Sequence, residues 1–165
     1  MERESMRITA AAAPHVEVVI EVPRGSFLKR GSSGSIDFVS PVPCPYNYGS
    51  VPDYIGGEGD LLDAVVLGPR LAAGTKIRVR AYGAIGFSER FMYDDKLICS
   101  EQDLTSSQRR NLLIFFTFYS RCKGVLNLFR GRRGRARCEG WSEAAEALGR
   151  AIPAGDVPAR TRASY

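Results

Sequence analysis

The sequence predicts an α+β domain, mainly β: a small, mostly antiparallel barrel with helices to one side. Three observations predict it. Short stretches of alternating apolar and polar residues, separated by Gly- and Pro-rich breaks, recur from residue 16 to residue 99. Beyond residue 105 the apolar spacing lengthens to that of a helix. The 165 residues, 44% hydrophobic and 25% charged, suit one domain with its own core.

Residues 1–14 read as a flexible leader, 15–152 as the folded domain and 153–165 as a flexible tail. Within residues 16–22, Val16, Val18, Ile20 and Val22 share one face of a strand, and Glu17, Val19 and Glu21 the other. Pro23 ends that ladder. Residues 24–29 form a second short strand or bend, joined through Gly- and Ser-rich 30–35 to a strand at 36–39. Pro41, Pro43 and Pro45 impose an extended, irregular path, which runs on through Tyr48 to Ile55. Residues 61–67 read as a buried strand on which Asp63 shares a face with Val65 and Leu67. A carboxylate in that setting needs a partner or a metal.

Residues 76–82 alternate with Ile77, Val79 and Ala81 inward, and the chain continues toward Glu89. Residues 91–99 bring Asp94, Asp95 and Lys96 to the start of another short strand. Thr105 and Gln108 have the spacing of a capping box, opening a helix to about Phe129 with Gly124 as the place for a kink. An Arg-rich loop, a strand at 137–141 and a helix over 142–152 follow. Glu143 and Glu146 near the start of that helix suit its dipole.

Composition excludes several function classes. No apolar run reaches the 18 residues or so of a membrane span. No signal peptide is evident, so the cytoplasm is the expected compartment. Cys44, Cys99, Cys122 and Cys138 lie far apart, and the single histidine, His15, stands near the N-terminus. A structural zinc site and Cys–His catalysis are therefore poorly supported, and reduced, packed thiols are expected. EF-hand, phosphate-loop and nucleophile-elbow patterns are absent. Net charge is +5, with Arg130, Arg132, Arg133, Arg135 and Arg137 inside eight residues. That cluster is either a solvated basic loop or a docking point for an anion such as phosphate or nucleic acid.

The most informative stretch is the acidic one. Glu58, Asp60 and Asp63 fall within six residues, after a glycine-softened turn. At about 4 Å and an effective dielectric near 20, each like-charged pair costs roughly 4 kcal/mol. The three either fan out into water or share a cation. Glu21, Lys29, Tyr48, Glu89, Asp94 and Lys96 are the other candidate groups. Converging carboxylates suit Mg2+, and lysines among them suit an anion. Together they describe metal-assisted phosphoryl chemistry, with a carboxylate accepting a proton from water.

Ile20-Glu-Val-Pro-Arg-Gly-Ser26, Tyr46-Asn-Tyr-Gly49, Glu58-Gly-Asp-Leu-Leu-Asp63, Asp94-Asp-Lys96 and Glu139-Gly-Trp141 stand in that order over residues 16–150. In this the chain resembles the soluble family I inorganic pyrophosphatases. The acidic stretch resembles that family's D-G-D-P-x-D signature and Asp94–Lys96 its D-x-K element. The resemblance implies an OB-like five-stranded antiparallel barrel with two flanking C-terminal helices. It also implies several Mg2+ per site and a metal-activated water that attacks pyrophosphate in line. By position, Asp60 matches the general base. Glu21, Glu58, Asp63, Glu89 and Asp94 match metal ligands, and Lys29, Tyr48, Lys96 and Tyr119 match phosphate contacts. A homo-oligomer, with a hexamer among the forms common in bacterial members, is also implied.

Departures from the family pattern are specific. Glu58 and Glu89 stand where the family has Asp, Leu61 where it has proline, and Gly31 where it has a glutamate. Cys44 stands where a tyrosine is usual and Ser120 where a lysine is usual, and the arginine expected near residues 36–41 is absent. Four readings follow: a divergent pyrophosphatase, a phosphate- or nucleotide-binding module with little turnover, a related phosphohydrolase acting on another substrate, and a nucleic-acid-binding barrel. Against the last, no aromatics are interleaved with the arginines.

Overall fold

A computed structural model describes residues 13–26, 28–30, 36–39, 43–89, 92–129 and 137–156, and their side chains except at 28–30, 36–39, 89 and 122–129. In chain order the elements are β1 (His15–Val22), β2 (Leu28–Arg30), β3 (Ile36–Val39), β4 (Asn47–Ile55), β5 (Leu61–Val66), β6 (Lys76–Glu89), β7 (Met92–Ser100), α1 (Ser106–Phe129), β8 (Arg137–Ser142), α2 (Ala144–Arg150) and β9 (Ile152–Pro153). Strands β1-β4-β5-β7-β6 pair in that order, and β6 pairs back onto β1 to close a five-stranded barrel. β8 extends the sheet beside β6, and β2 pairs with β3 in a separate ribbon. The expected mainly β, OB-like α+β barrel with two helices is the architecture found.

One barrel pairing is parallel, that of β5 with β7. Its cause is topological. β6 and β7 form an antiparallel hairpin, and β5 joins the free side of β7 rather than that of β6. The 14-residue β6 serves two neighbours along its length. Its first half pairs with β1 and its second half with β8, with a bulge between Ala81 and Gly83 where it bends. Gly83 has a structural reason at that bend: a Cβ there would strike the Trp141 ring.

Period-two alternation sorts side chains into two cores. Val18, Ile20, Val51, Leu62, Ala64, Val79 and Leu97 fill the barrel interior, closed at one end by Ala144 and Ala147 of α2. On the outer face, Val65, Tyr82, Ile85, Phe87 and Ile98 pack against Leu112 and Phe116 of α1. Each fully buried aliphatic side chain contributes roughly 1.5–3 kcal/mol. The capping box is present: the Gln108 N–H donates to Thr105 Oγ1 at 3.2 Å, and the Thr105 N–H donates to Gln108 Oε1 at 2.9 Å. The helix it opens runs through Gly124 to Phe129.

The C-terminal end differs from expectation. α2 stops at Arg150, and Ile152 and Pro153, placed by sequence at the junction with the tail, pair with Ile55 and Tyr54 of β4. Ala154–Asp156 then form a 3-10 turn. Pro153 disfavours helical backbone at Ile152. The register of β4 with β5 breaks between Val51 and Ile55, around Pro52, and β9 takes up this end of β4. Among the described residues no helix is long and apolar enough to cross a membrane. Arg130 to Arg135 lie outside the described residues; Arg137 is exposed on β8.

Candidate active site

Asp63 and Lys96 are ladder partners on the parallel pair β5 and β7. Strand alternation turns both toward the outer face, the side that carries α1, because their neighbours Leu62, Ala64 and Leu97 face the barrel interior. Tyr48 lies opposite Val65 on β4 and so reaches the same face one strand over. The three N–H groups of Lys96 meet three oxygens: Asp63 Oδ2 at 2.7 Å, Tyr48 Oη at 2.8 Å and Asp94 Oδ2 at 2.9 Å. The Lys96 side chain is only 11% exposed, and its ammonium also lies 5.4 Å from the Tyr48 and Phe87 ring centroids.

The electrostatics follow from burial and charge. Burial alone would lower the Lys96 pKa. Interactions with Tyr48, Asp63 and Asp94, and the hydrogen bond to Asp63, outweigh it and hold the ammonium well above the ordinary lysine value. Burial, reinforced by the Asp63 charge and by a hydrogen bond to Asp63, pushes the Tyr48 phenol well above its ordinary value, against the opposing pull of Lys96. The site therefore holds a charged ammonium and a neutral phenol. Two carboxylates on one ammonium leave it one negative charge in excess.

The acidic stretch is the β4–β5 hairpin connection. Ile55 pairs with Leu61, the Gly56 N–H donates to the Asp60 carbonyl at 2.8 Å, and the Gly59 N–H donates to the Gly56 carbonyl at 3.1 Å. Gly59 takes φ of 92°, a conformation in which a side chain would be strained. Glu58 and Asp60 are exposed on this turn. Glu21 is half-buried at the β1 bulge, between Ile20 and Val22, and Val22 pairs with Tyr48. Tyr119 lies on α1, half-buried and stacked on Phe115 at 6.2 Å. Lys29 sits on β2 and Glu89 at the end of β6, with side chains outside the described residues.

The fold thus brings Tyr48, Asp63, Asp94 and Lys96 into direct contact. Glu58 and Asp60 sit at the near end of the same hairpin, and Tyr119 is held on the flanking helix. Among the described residues, no three carboxylates, thiols or imidazoles lie together at metal-holding spacing. In donor chemistry the cluster fits a hard cation, since it offers carboxylate oxygens and excess negative charge.

Two residues escaped the sequence reading. Asn47 is wholly buried and ties the start of β4 to two loops. Its Oδ1 accepts from the Arg24 N–H at 3.0 Å and the Leu71 N–H at 2.9 Å, and its Nδ2 donates to the Pro69 carbonyl at 2.8 Å. This fixes the strand position next to Tyr48. Asp95 is also buried and is paired with Arg150. Its signal was present in sequence: alternation places it opposite Asp94 and Lys96, where a second acid needs its own partner.

The sequence model of the inorganic pyrophosphatase family matches residues 18–123. An inorganic pyrophosphatase of Gluconobacter oxydans is 32% identical over 105 residues, 59% of this chain and 61% of that one. One from Neisseria meningitidis serogroup B is 26% identical over 153 residues, 80% of this chain and 82% of that one. Matched stretches cover only 61% and 63% of the Gluconobacter oxydans and Saccharolobus solfataricus relatives. Among solved structures, the inorganic pyrophosphatase of Thermus thermophilus superposes with a TM-score of 0.67 at 27% identity, over 89% of this chain and 92% of that one. An inorganic phosphatase from Anaplasma phagocytophilum gives 0.66 at 26%, over 89% and 96%. With the family match covering more than half its length, and the barrel shared with solved members, the chain belongs to the inorganic pyrophosphatase family.

Proposed function

We propose that the chain hydrolyses pyrophosphate to two phosphates, with Mg2+ as its cation. The observation that carries this reading is the Lys96 cluster, a buried ammonium bound by two carboxylates and a phenol within the residues matched to the family. Asp63 and Asp94, with Glu58, Glu21 and Glu89, are the residues that would hold the metal. When bound, Mg2+ would offset phosphate charge and lower the pKa of an attacking water.

The chain's own groups supply the rest. Asp60, exposed on the hairpin turn, accepts the proton of the attacking water. Tyr48, neutral at physiological pH, donates to a phosphate oxygen. Lys96 exchanges one carboxylate hydrogen bond for another phosphate oxygen and stays charged while it does so. Lys29 and Tyr119 complete the phosphate contacts. Attack is in line, with no phospho-enzyme. A cytoplasmic setting and a homo-oligomer, hexamers included, belong to the same proposal.

The test is phosphate release from pyrophosphate by the purified protein, with and without Mg2+. Release should require the metal and fall by about 10²–10⁴-fold in Asp60→Asn. A wild-type protein that releases no phosphate, or an Asp60→Asn variant that matches it, overturns the proposal.

A further inference from the structure

Asp95 stands between the two β7 residues that build the site, and strand alternation turns it to the opposite face. Its side chain is 6% exposed. Arg150, the last residue of α2, grips it with both arms of the guanidinium: Nε donates to Oδ2 at 2.9 Å and Nη2 to Oδ1 at 3.0 Å. The same Nη2 donates to Ser142 Oγ at 3.0 Å, which ties the fork to the end of β8. The guanidinium lies 5.1 Å from the Tyr93 ring centroid. That ring occupies the space a Cβ at Gly86 would take, and Gly86 is the ladder partner of Asp95.

Tyr93 also supports the acidic turn. A Cβ at Gly57 would strike the Tyr93 carbonyl oxygen, so the turn carrying Glu58 and Asp60 rests directly on the β7 backbone. One guanidinium therefore braces both halves of the site. It holds Asp95, between Asp94 and Lys96, and it backs Tyr93, beneath the Glu58–Asp60 turn. Arg150 lies beyond the matched residues 18–123.

We infer that Arg150 is a positioning residue for the reaction, acting through Asp95 and Tyr93 to fix Asp94, Lys96 and the acidic turn relative to one another. The inference rests on the proposed hydrolysis. Its mechanical content is independent of turnover: without the fork, β7 and the turn lose their shared brace, and Asp94, Lys96 and the acidic turn lose their fixed placement relative to one another.

The experiment compares wild type with Arg150→Ala, Arg150→Lys and Asp95→Asn, using Ala147→Gly as a control. The control loosens α2 at the barrel end without touching the ion pair. Readouts are kcat and KM for pyrophosphate, calorimetric Mn2+ binding to metal-free protein, and thermal unfolding. Arg150→Ala should lower kcat or Mn2+ affinity by about 10–100-fold, with a much smaller change in the KM for pyrophosphate. Arg150→Lys keeps the charge but not the fork and should recover part of the loss. Ala147→Gly should unfold at lower temperature with wild-type kcat and Mn2+ affinity. Wild-type kcat and Mn2+ affinity in Arg150→Ala, or an equal loss in Ala147→Gly, overturns the inference. If Arg150→Ala does not fold, Arg150→Lys and Asp95→Asn decide, and wild-type values in both overturn it. If wild type itself shows no turnover, the proposed hydrolysis fails while Mn2+ binding still decides the role of Arg150.

Discussion

Asp63 and Lys96 face each other across the single parallel pairing of the barrel, and the Lys96 ammonium donates to Asp63 at 2.7 Å. Removing the ammonium takes the shared counter-charge from two partly buried carboxylates. Lys96→Met should therefore destabilise the metal-free protein by roughly 3 kcal/mol, measured by urea unfolding. A variant as stable as wild type would show that the cluster is too wet to matter. Phosphate release should fall in parallel, because the same group contacts phosphate in the proposed reaction.

Glu58 separates site effects from stability effects. It is exposed on the hairpin turn and belongs to neither buried core. Glu58→Ala should change stability by less than about 0.5 kcal/mol. The Mg2+ concentration needed for half-maximal phosphate release should nonetheless rise several-fold. An unchanged metal requirement would remove Glu58 from the ligand set.

Cys99 gives a pH prediction away from the site. It is fully buried in the barrel interior, and burial pushes its thiol from 9.0 up to about 12. The folded state thus keeps its proton where the unfolded state loses it. The resulting stability is present in full below about pH 9 and is lost as pH rises toward about 12, by roughly 1.4 kcal/mol per pH unit at most. Unfolding curves of Cys99→Ala from pH 8 to 11 should show a shallower decline than wild type. Parallel slopes would rule out this linkage.

Gly49 carries a close approach rather than a turn. It pairs with Ile20, and a Cβ there would strike the Val19 carbonyl oxygen. Backbone on both sides cannot step aside as a side chain would. Gly49→Ala should cost about 2–3 kcal/mol by thermal or urea unfolding, and it should disturb the adjacent Tyr48. A neutral result would mean that β1 and β4 separate freely at this point.

Much of the fold was legible in local pattern. The face shared by Val16, Val18, Ile20 and Val22, the Thr105–Gln108 cap, and the strand bearing Asp63 all follow from spacing, because alternation and capping act over a few residues. The family was legible in the acidic stretch and its ordered companions. The helix expected over 142–152 stops early at Arg150, and Ile152 with Pro153 crosses to β4. That pairing depends on a break in the β4–β5 register about a hundred residues away, which no local pattern reports.

The sequence by itself determined which residues carry charge, which strand face each one joins, and which family the chain resembles. Only the tertiary structure decided how they meet. Parallel register sets Lys96 opposite Asp63, the neighbouring strand delivers Tyr48, and Arg150 arrives from the far end of the chain to hold Asp95. The physical reason is range. Strand alternation is a property of adjacent peptides, whereas the partner of a buried charge is chosen by strand order in the barrel, which brings Tyr48 and Asp63 within hydrogen-bonding distance of the Lys96 ammonium.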